Sequence, residues 1–97
     1  MDKVFHVYML ASGRNGTLYV GVTGHLAHRV WMHKEGGGSA FTSKYGIKRL
    51  VWYQEFQSAL EAIAFEKRLK RWRRAWKLGL IERENPQWLD LYETLNQ

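Results

Sequence analysis

Val4-Phe5-His6-Val7-Tyr8-Met9-Leu10-Ala11, then Ser12-Gly13-Arg14-Asn15-Gly16, then Thr17-Leu18-Tyr19-Val20-Gly21-Val22-Thr23 is the stretch on which the fold is decided. In its first run Phe5, Val7 and Met9 alternate with His6, Tyr8 and Leu10, the two-residue period of a strand. The middle run holds turn residues, including an Asn-Gly pair suited to positive φ. The last run alternates again, with Leu18, Val20 and Val22 on one side and Thr17, Tyr19, Gly21 and Thr23 on the other. Together they predict a β-hairpin. A one-residue slip would turn every side chain over, so burial of the apolar rows on one face restricts the register. The compact solution sets Phe5, Val7 and Met9 opposite Val22, Val20 and Leu18, and Tyr8 opposite Tyr19. Those phenols either fill a second core as a cross-strand pair or line a site. Gly21, beside Tyr19, leaves a dent where a ligand or backbone can approach.

Downstream, a helix is expected from about Leu26 to Glu35, with Thr23 or Gly24 as its cap and Gly36-Gly37-Gly38-Ser39 as its stop. Leu26 and Val30 mark its buried side. Arg29 and His33, four apart, share a column at that side's edge, so Arg29 either snorkels or faces a pocket. The segment through Lys44 is read as a mobile loop whose Ser39, Thr42, Ser43 and Lys44 suit phosphate contacts and equally suit a plain connection. Ile47 to Phe56 is the third strand, with Leu50, Trp52 and Phe56 alternating against Val51, Tyr53 and Glu55. A short helical turn over Leu78 to Ile81 and a last helix from Gln87 to Leu95, docking Trp88, Leu91 and Leu95, complete the chain.

Between the third strand and that turn lies the densest positive charge. Ser58, with Glu61 completing a capping box, opens a long helix running through Lys77. Ala62, Phe65, Leu69, Trp72 and Trp76 recur in steps of three and four as its buried face. Around the rest run Lys67, Arg68, Lys70, Arg71, Arg73, Arg74 and Lys77, an excess that calls for an anionic partner. Glu66 sits at the border of the stripe, placed either to pair with Lys70 at i,i+4 or to hold a metal ion.

The chain has 97 residues, 15 Lys and Arg against 9 Asp and Glu, and a formal charge of +6. This balance fits one basic domain spanning 1–97 whose first candidate partner is a phosphate backbone. With no cysteine, disulfides and thiolate metal sites are excluded, and a cytoplasmic location is expected. No signal peptide and no membrane-spanning run are read, and the apolar stripe looks like core rather than a membrane-surface face.

Tyr8 in Val7-Tyr8, Tyr19-Val20-Gly21 a hairpin later, Arg29 with His33 on the next helix, and Glu66-Lys67-Arg68-Leu69-Lys70 after the third strand are together specific. In that order and spacing the chain resembles the GIY-YIG endonuclease family, in particular its small bacterial members. The resemblance implies an α/β (α+β) fold with a three-stranded antiparallel sheet flanked by helices. It implies catalytic roles for Tyr8, Tyr19, Arg29, His33 and Glu66, with Glu66 as the protein ligand of Mg²⁺ or Mn²⁺. Asn85 corresponds to the family's C-terminal asparagine. His6-Val7-Tyr8 replaces Gly-Ile-Tyr, Val20 replaces isoleucine, and His25 stands where relatives often have asparagine.

The expected function is therefore metal-dependent hydrolysis of phosphodiester bonds in DNA, with RNA also open, on branched or damaged structures as in repair or recombination. Lys44, Lys67, Lys70, Arg71, Arg73, Arg74 and Lys77 would hold the strand. One alternative is a non-cleaving nucleic-acid-binding module that needs a partner. Another is an interaction protein presenting Trp72, Trp76 and Trp88. A homodimer or a protein partner supplying specificity is compatible with either.

Overall fold

The computed structural model describes residues 3–95. Its strands are β1 (Phe5–Ala11), β2 (Leu18–Thr23) and β3 (Arg49–Phe56), and its helices are α1 (Leu26–Lys34), α2 (Ala40–Tyr45), α3 (Ala59–Arg71) and α4 (Arg74–Glu84), followed by a 3₁₀ turn at Leu91–Thr94. The three strands form one antiparallel sheet in the order β2-β1-β3, an α+β arrangement with β1 in the centre. Because β1 is covered on both faces, its two side-chain rows both become core. Val7, Met9 and Ala11 pack with Ala62 and Leu69 of α3, Ile81 of α4 and Trp88. Tyr8 and Leu10 pack with Leu26 and Val30 of α1, Ile47 and Leu50.

The hairpin register keeps the expected faces but is displaced by two residues. Val7 pairs with Val22, Tyr8 with Gly21 and Leu10 with Tyr19. The cause lies in the turn. Ser12 N–H donates to the Thr17 carbonyl and Gly16 N–H to the Gly13 carbonyl, each at 3.0 Å, so four residues, Gly13 to Gly16, form the loop. Asn15 takes the left-handed conformation there, at φ 57°. On the other side of β1 the ladder is interrupted between Met9 and Leu10, because Met9 pairs with Trp52 and Leu10 with Leu50. This bulge overturns the simple alternation expected for β3: Leu50 and Tyr53 join the α1-side core while Val51 and Trp52 join the α3-side core.

Three helical expectations change. The long basic helix through Lys77 is broken at Trp72 and Arg73, both extended at ψ 147°, although neither glycine nor proline stands there. The break is held from outside. Lys77 Nζ donates to the Lys70 carbonyl, one of the acceptors that the end of α3 leaves open, and Arg74 Nη2 donates to the carbonyls of Asn15 and Gly16 in the hairpin turn. Leu78 to Ile81 thus belongs to a full helix, α4, that buries Ile81. Trp76, expected in the core, is 56% exposed.

The expected loop before β3 contains α2, capped by Ser39 Oγ accepting the Thr42 N–H. The last expected helix shrinks to its 3₁₀ turn, because Trp88 sits at φ 57° and cannot continue a helix. That residue is fully buried and anchored: its indole N–H donates to Glu82 at 2.9 Å, and its carbonyl accepts from Arg49 at 3.0 Å. Lys34 pairs with Asp90 and ties this tail to α1.

Candidate active site and nucleic-acid face

Tyr8 leaves the central strand on the α1 side and meets His33, which α1 buries completely. The Tyr8 Oη to His33 Nε2 distance is 3.0 Å, and His33 Nδ1 lies 3.0 Å from Thr42 Oγ1. Thr42 Oγ1 also lies against the Ser39 carbonyl and Ser39 Oγ, and the latter accepts from Thr42 N–H. When the Thr42 hydroxyl gives its proton to the Ser39 carbonyl, it accepts from His33 Nδ1–H, and Nε2 is then the acceptor of the Tyr8 proton.

Two glycines make this packing possible. A Cβ on Gly21 would lie 2.5 Å from the Tyr8 ring and hydroxyl, and one on Gly38 would lie 2.1 Å from His33 Nδ1. The dent expected at Gly21 is occupied by the Tyr8 phenol. Tyr19, displaced diagonally by the register, has its ring centroid 5.2 Å from His33 and 6.3 Å from Tyr8.

Arg29, one turn before His33, donates from Nη2 to the Gly38 carbonyl at 3.0 Å, so the loop that packs on His33 also orients the guanidinium. Its charge reaches both neighbours. Burial pushes the Tyr8 phenol up to about 12 against the opposing effect of Arg29, and Tyr19 and Glu66 push it in the same direction as burial. Burial, then Arg29, lowers His33 below its ordinary value and keeps it neutral at pH 7. The Tyr8 and Tyr19 phenols in turn raise the Arg29 pKa. In this environment the Tyr8 proton is held more tightly than on a free phenol, with His33 Nε2 as its hydrogen-bond partner.

Glu66 projects from α3 and is 9% exposed. The expected contact to Lys70 is present, with Oε2 and Nζ 2.9 Å apart. No cluster of three or more potential His, Cys, Asp or Glu ligands occurs among the described residues. A single buried carboxylate engaged through one oxygen fits an Mg²⁺-type ion that takes its other ligands from water and phosphate.

Asn85 is placed apart from these groups. Its Nδ2 donates to the Val51 and Leu89 carbonyls and its Oδ1 accepts from Leu89 N–H, so the amide is fully used in fastening the C-terminal segment to β3.

The basic residues divide. Lys67 and Arg71 are exposed on α3, and Arg73 stacks over Trp76 at 5.4 Å. Lys44 lies against Tyr45. Lys70, Arg74 and Lys77 are engaged in the contacts above, and Lys77 is lowered by burial and by Arg74.

The family model of the GIY-YIG catalytic domain matches residues 4–79. The chain belongs to the GIY-YIG family. This is a family of nucleases, which carries with it nucleic-acid binding and general dependence on metal ions. A UPF0213 protein of Oceanobacillus iheyensis is 38% identical over 82 residues, 84% of this chain and 94% of that protein. A UPF0213 protein of Streptococcus pneumoniae is 34% identical over 77 residues, covering 79% of this chain and 77% of its own length. The solution structure of a UPF0213 protein from Bacillus halodurans superposes with a TM-score of 0.53 at 30% identity, over 84% of this chain and 86% of that one.

The GIY-YIG residues expected at the site, Tyr8, Tyr19, Arg29 and His33, converge on the α1 side of the sheet, while Glu66 stands on α3 and reaches Tyr8 through its charge, the smallest of the influences that raise the phenol. The sequence places Ser39 and Thr42 in a loop suited to phosphate contacts or to connection alone, and gives Gly38 no role beyond ending α1. Their signal was the Ser39-x-x-Thr42 spacing of a helix cap, hidden because α2 has only six residues.

The described residues contain no helix long and apolar enough to cross a membrane.

Proposed function

We propose that this chain is a metal-dependent endonuclease that hydrolyses phosphodiester bonds in DNA. The observation that carries the reading is the hydrogen-bonded line from Tyr8 through His33 to Thr42, set beside a fixed arginine. Hydrolysis requires an activated water and stabilisation of the charge that develops on the phosphate. Tyr8 serves as general base: its phenolic oxygen takes a proton from the attacking water as its own proton passes to His33 Nε2. Such a concerted relay suits a phenol whose pKa is raised rather than lowered. Tyr19, open to solvent on one side, orients the phosphate or the water.

Arg29 stays charged and presents a planar fork to two phosphate oxygens. Glu66 would hold Mg²⁺ or Mn²⁺, and the ion would supply Lewis-acid stabilisation at the scissile phosphate. Lys44, Lys67, Arg71 and Arg73 hold the strand through its phosphates, with Lys70, Arg74 and Lys77 adding to the field.

Cleavage of labelled duplex, single-stranded, flap and junction DNAs with Mg²⁺ or Mn²⁺ tests this reading, with Tyr8→Phe, Tyr19→Phe and Glu66→Ala as variants. Cleavage by the wild type should disappear in chelator, in Tyr8→Phe and in Glu66→Ala, with binding retained, and should survive at a reduced rate in Tyr19→Phe. Binding of the whole panel without cutting under either metal would instead identify a binding module.

A further inference from the structure

The break between α3 and α4 creates a surface groove that the proposed chemistry leaves unused. Its cavity, about 380 Å³, is lined by Trp72, Ala75, Trp76, Gly79, Leu80 and Arg83. Ala75 and Gly79, four apart on α4, form a low floor, and a Cβ added at Gly79 would meet nothing within 4 Å. Trp72 and Trp76 stand edge to face, 83° between planes and 6.2 Å between centroids. The Arg73 guanidinium covers Trp76 at 5.4 Å, and Arg83 lines the other end. An aromatic ring this large is normally core. Trp76 is left 56% exposed on a helix that buries Ile81, beside a cavity rimmed by cations.

We propose that this groove is a stacking site for one unpaired nucleobase, so that the substrate carries a single-stranded or extruded nucleotide near the cleaved phosphate. The proposal rests on the nucleic-acid reading above and narrows its substrate class. Aromatic faces set in a positive groove bind bases of any identity through their π-surfaces while arginines follow the backbone. Inside a duplex those faces are covered by neighbouring base pairs, so only an unpaired base can enter. Trp72, at one wall of the groove, is the residue that ends α3, the helix that carries Glu66. Charge separates a nucleic acid from a second copy of the chain as occupant: each copy carries +6, and a self-contact at this rim would set Arg73 and Arg83 against like charge.

The test measures binding in chelator, so that no cleavage intervenes and the outcome is independent of whether the chain is a nuclease. Anisotropy with a fluorescent blunt duplex and with the same duplex bearing a short single-stranded overhang is compared for wild type, Trp76→Ala, Trp76→Phe and Gly79→Leu. Gly79→Leu fills the groove and replaces glycine by a better helix former, so it blocks the site without weakening α4; thermal melts check both points. Trp76→Ala and Gly79→Leu should weaken overhang binding by roughly ten- to a hundredfold, the range of one lost base stack, and leave blunt-duplex binding unchanged. Trp76→Phe should retain most of the preference. Equal losses on both DNAs would reduce the groove to part of a general basic surface and overturn the proposal. So would an overhang preference that survives both variants, or sedimentation showing that Trp76→Ala dissolves a dimer.

Discussion

Gly21→Ala should disable the site from a position that touches no substrate. Gly21 is paired with Tyr8 across β1 and β2, and the added methyl would lie 2.5 Å from Tyr8 Cζ and Oη and 2.8 Å from Cε1. Favourable carbon contacts fall near ~3.5–4.0 Å, so the overlap is about 1 Å against two ring carbons and the hydroxyl oxygen of one side chain. The ring cannot yield cheaply, since Tyr8 is fully buried and its hydroxyl is held by His33 at 3.0 Å. Overpacking of this kind costs about 1–3 kcal/mol, and each kcal/mol lowers the melting temperature of a domain this size by about 4–8 °C. Without the ring, alanine in a strand would be neutral or gain about 0.5–1 kcal/mol over glycine. The effect is therefore a coupling between two residues, and a double-mutant cycle isolates it. In the Tyr8→Ala background, where the ring is gone, Gly21→Ala should leave the melting temperature unchanged or raise it by up to about 4–8 °C. Circular dichroism melts of the four proteins, with cleavage assays on the two that retain Tyr8, make the test. A Gly21→Ala protein that melts and cuts like wild type, or one that loses as much stability without the Tyr8 ring as with it, would refute the packing argument.

Thr42→Val should strand His33 Nδ1–H in a buried site, at about 1–3 kcal/mol, and release the tautomer, visible as a changed ¹⁵N shift pattern of His33. Its kcat should fall more than its KM changes, and Thr42→Ser should restore both tautomer and rate. Acid should destabilise the fold beginning near the ordinary histidine value of 6.5, because burial lowers both His33 and His6. A lowered pKa means that the native state binds fewer protons, so this stability is complete above 6.5 and is lost as pH falls through the lowered values. His33 is enclosed by Tyr8, Tyr19, Arg29 and Thr42, none of which is an acid that would offset its charging, and His33→Gln should make the acid limb of a denaturation series shallower. Asn85→Ala should cost about 2 kcal/mol or more by removing the partners of Val51 and Leu89, lowering the urea midpoint at constant slope, while cleavage at a temperature where the protein stays folded persists.

The sequence made the sheet and its faces legible because period-two alternation survives any even shift of register. For that reason it could not choose between Tyr8 opposite Tyr19 and Tyr8 opposite Gly21, which differ by two residues and share their faces. That choice was made by the turn, through the two backbone hydrogen bonds that close a four-residue loop. The break in the basic helix was hidden for a related reason. Helical periodicity continues through Trp72 and Arg73, and the interactions that favour the break come from residues distant in sequence: the carbonyls of Asn15 and Gly16 that receive Arg74, and the burial of Ile81 against the sheet. Local patterns report local preferences, and both errors arose where a long-range contact decided.

At the candidate site the same division explains what was visible. Arg29 and His33 were readable as a pair because four residues on a helix place two side chains in one column. Glu66 was readable only as a choice, and its observed ion pair with Lys70 is compatible with either arm of that choice, because the pair occupies Oε2 alone. Thr42 was unreadable as His33's partner, since their meeting depends on a glycine-rich connection folding back so that Gly38 touches both the imidazole and Arg29. This connection gives the site its chemical direction. In the proposed relay Thr42 accepts from Nδ1 and leaves Nε2 to receive a proton, and by accepting from Arg29 Nη2 at the Gly38 carbonyl the same loop sets a fixed charge beside the phenol. A tyrosine with its pKa near 12 would be a poor reservoir of phenolate at neutral pH. In the relay we propose, the phenol acts as base by passing its proton to His33 Nε2, 3.0 Å away, and the Gly37–Thr42 connection supplies the Thr42 hydroxyl that accepts from Nδ1.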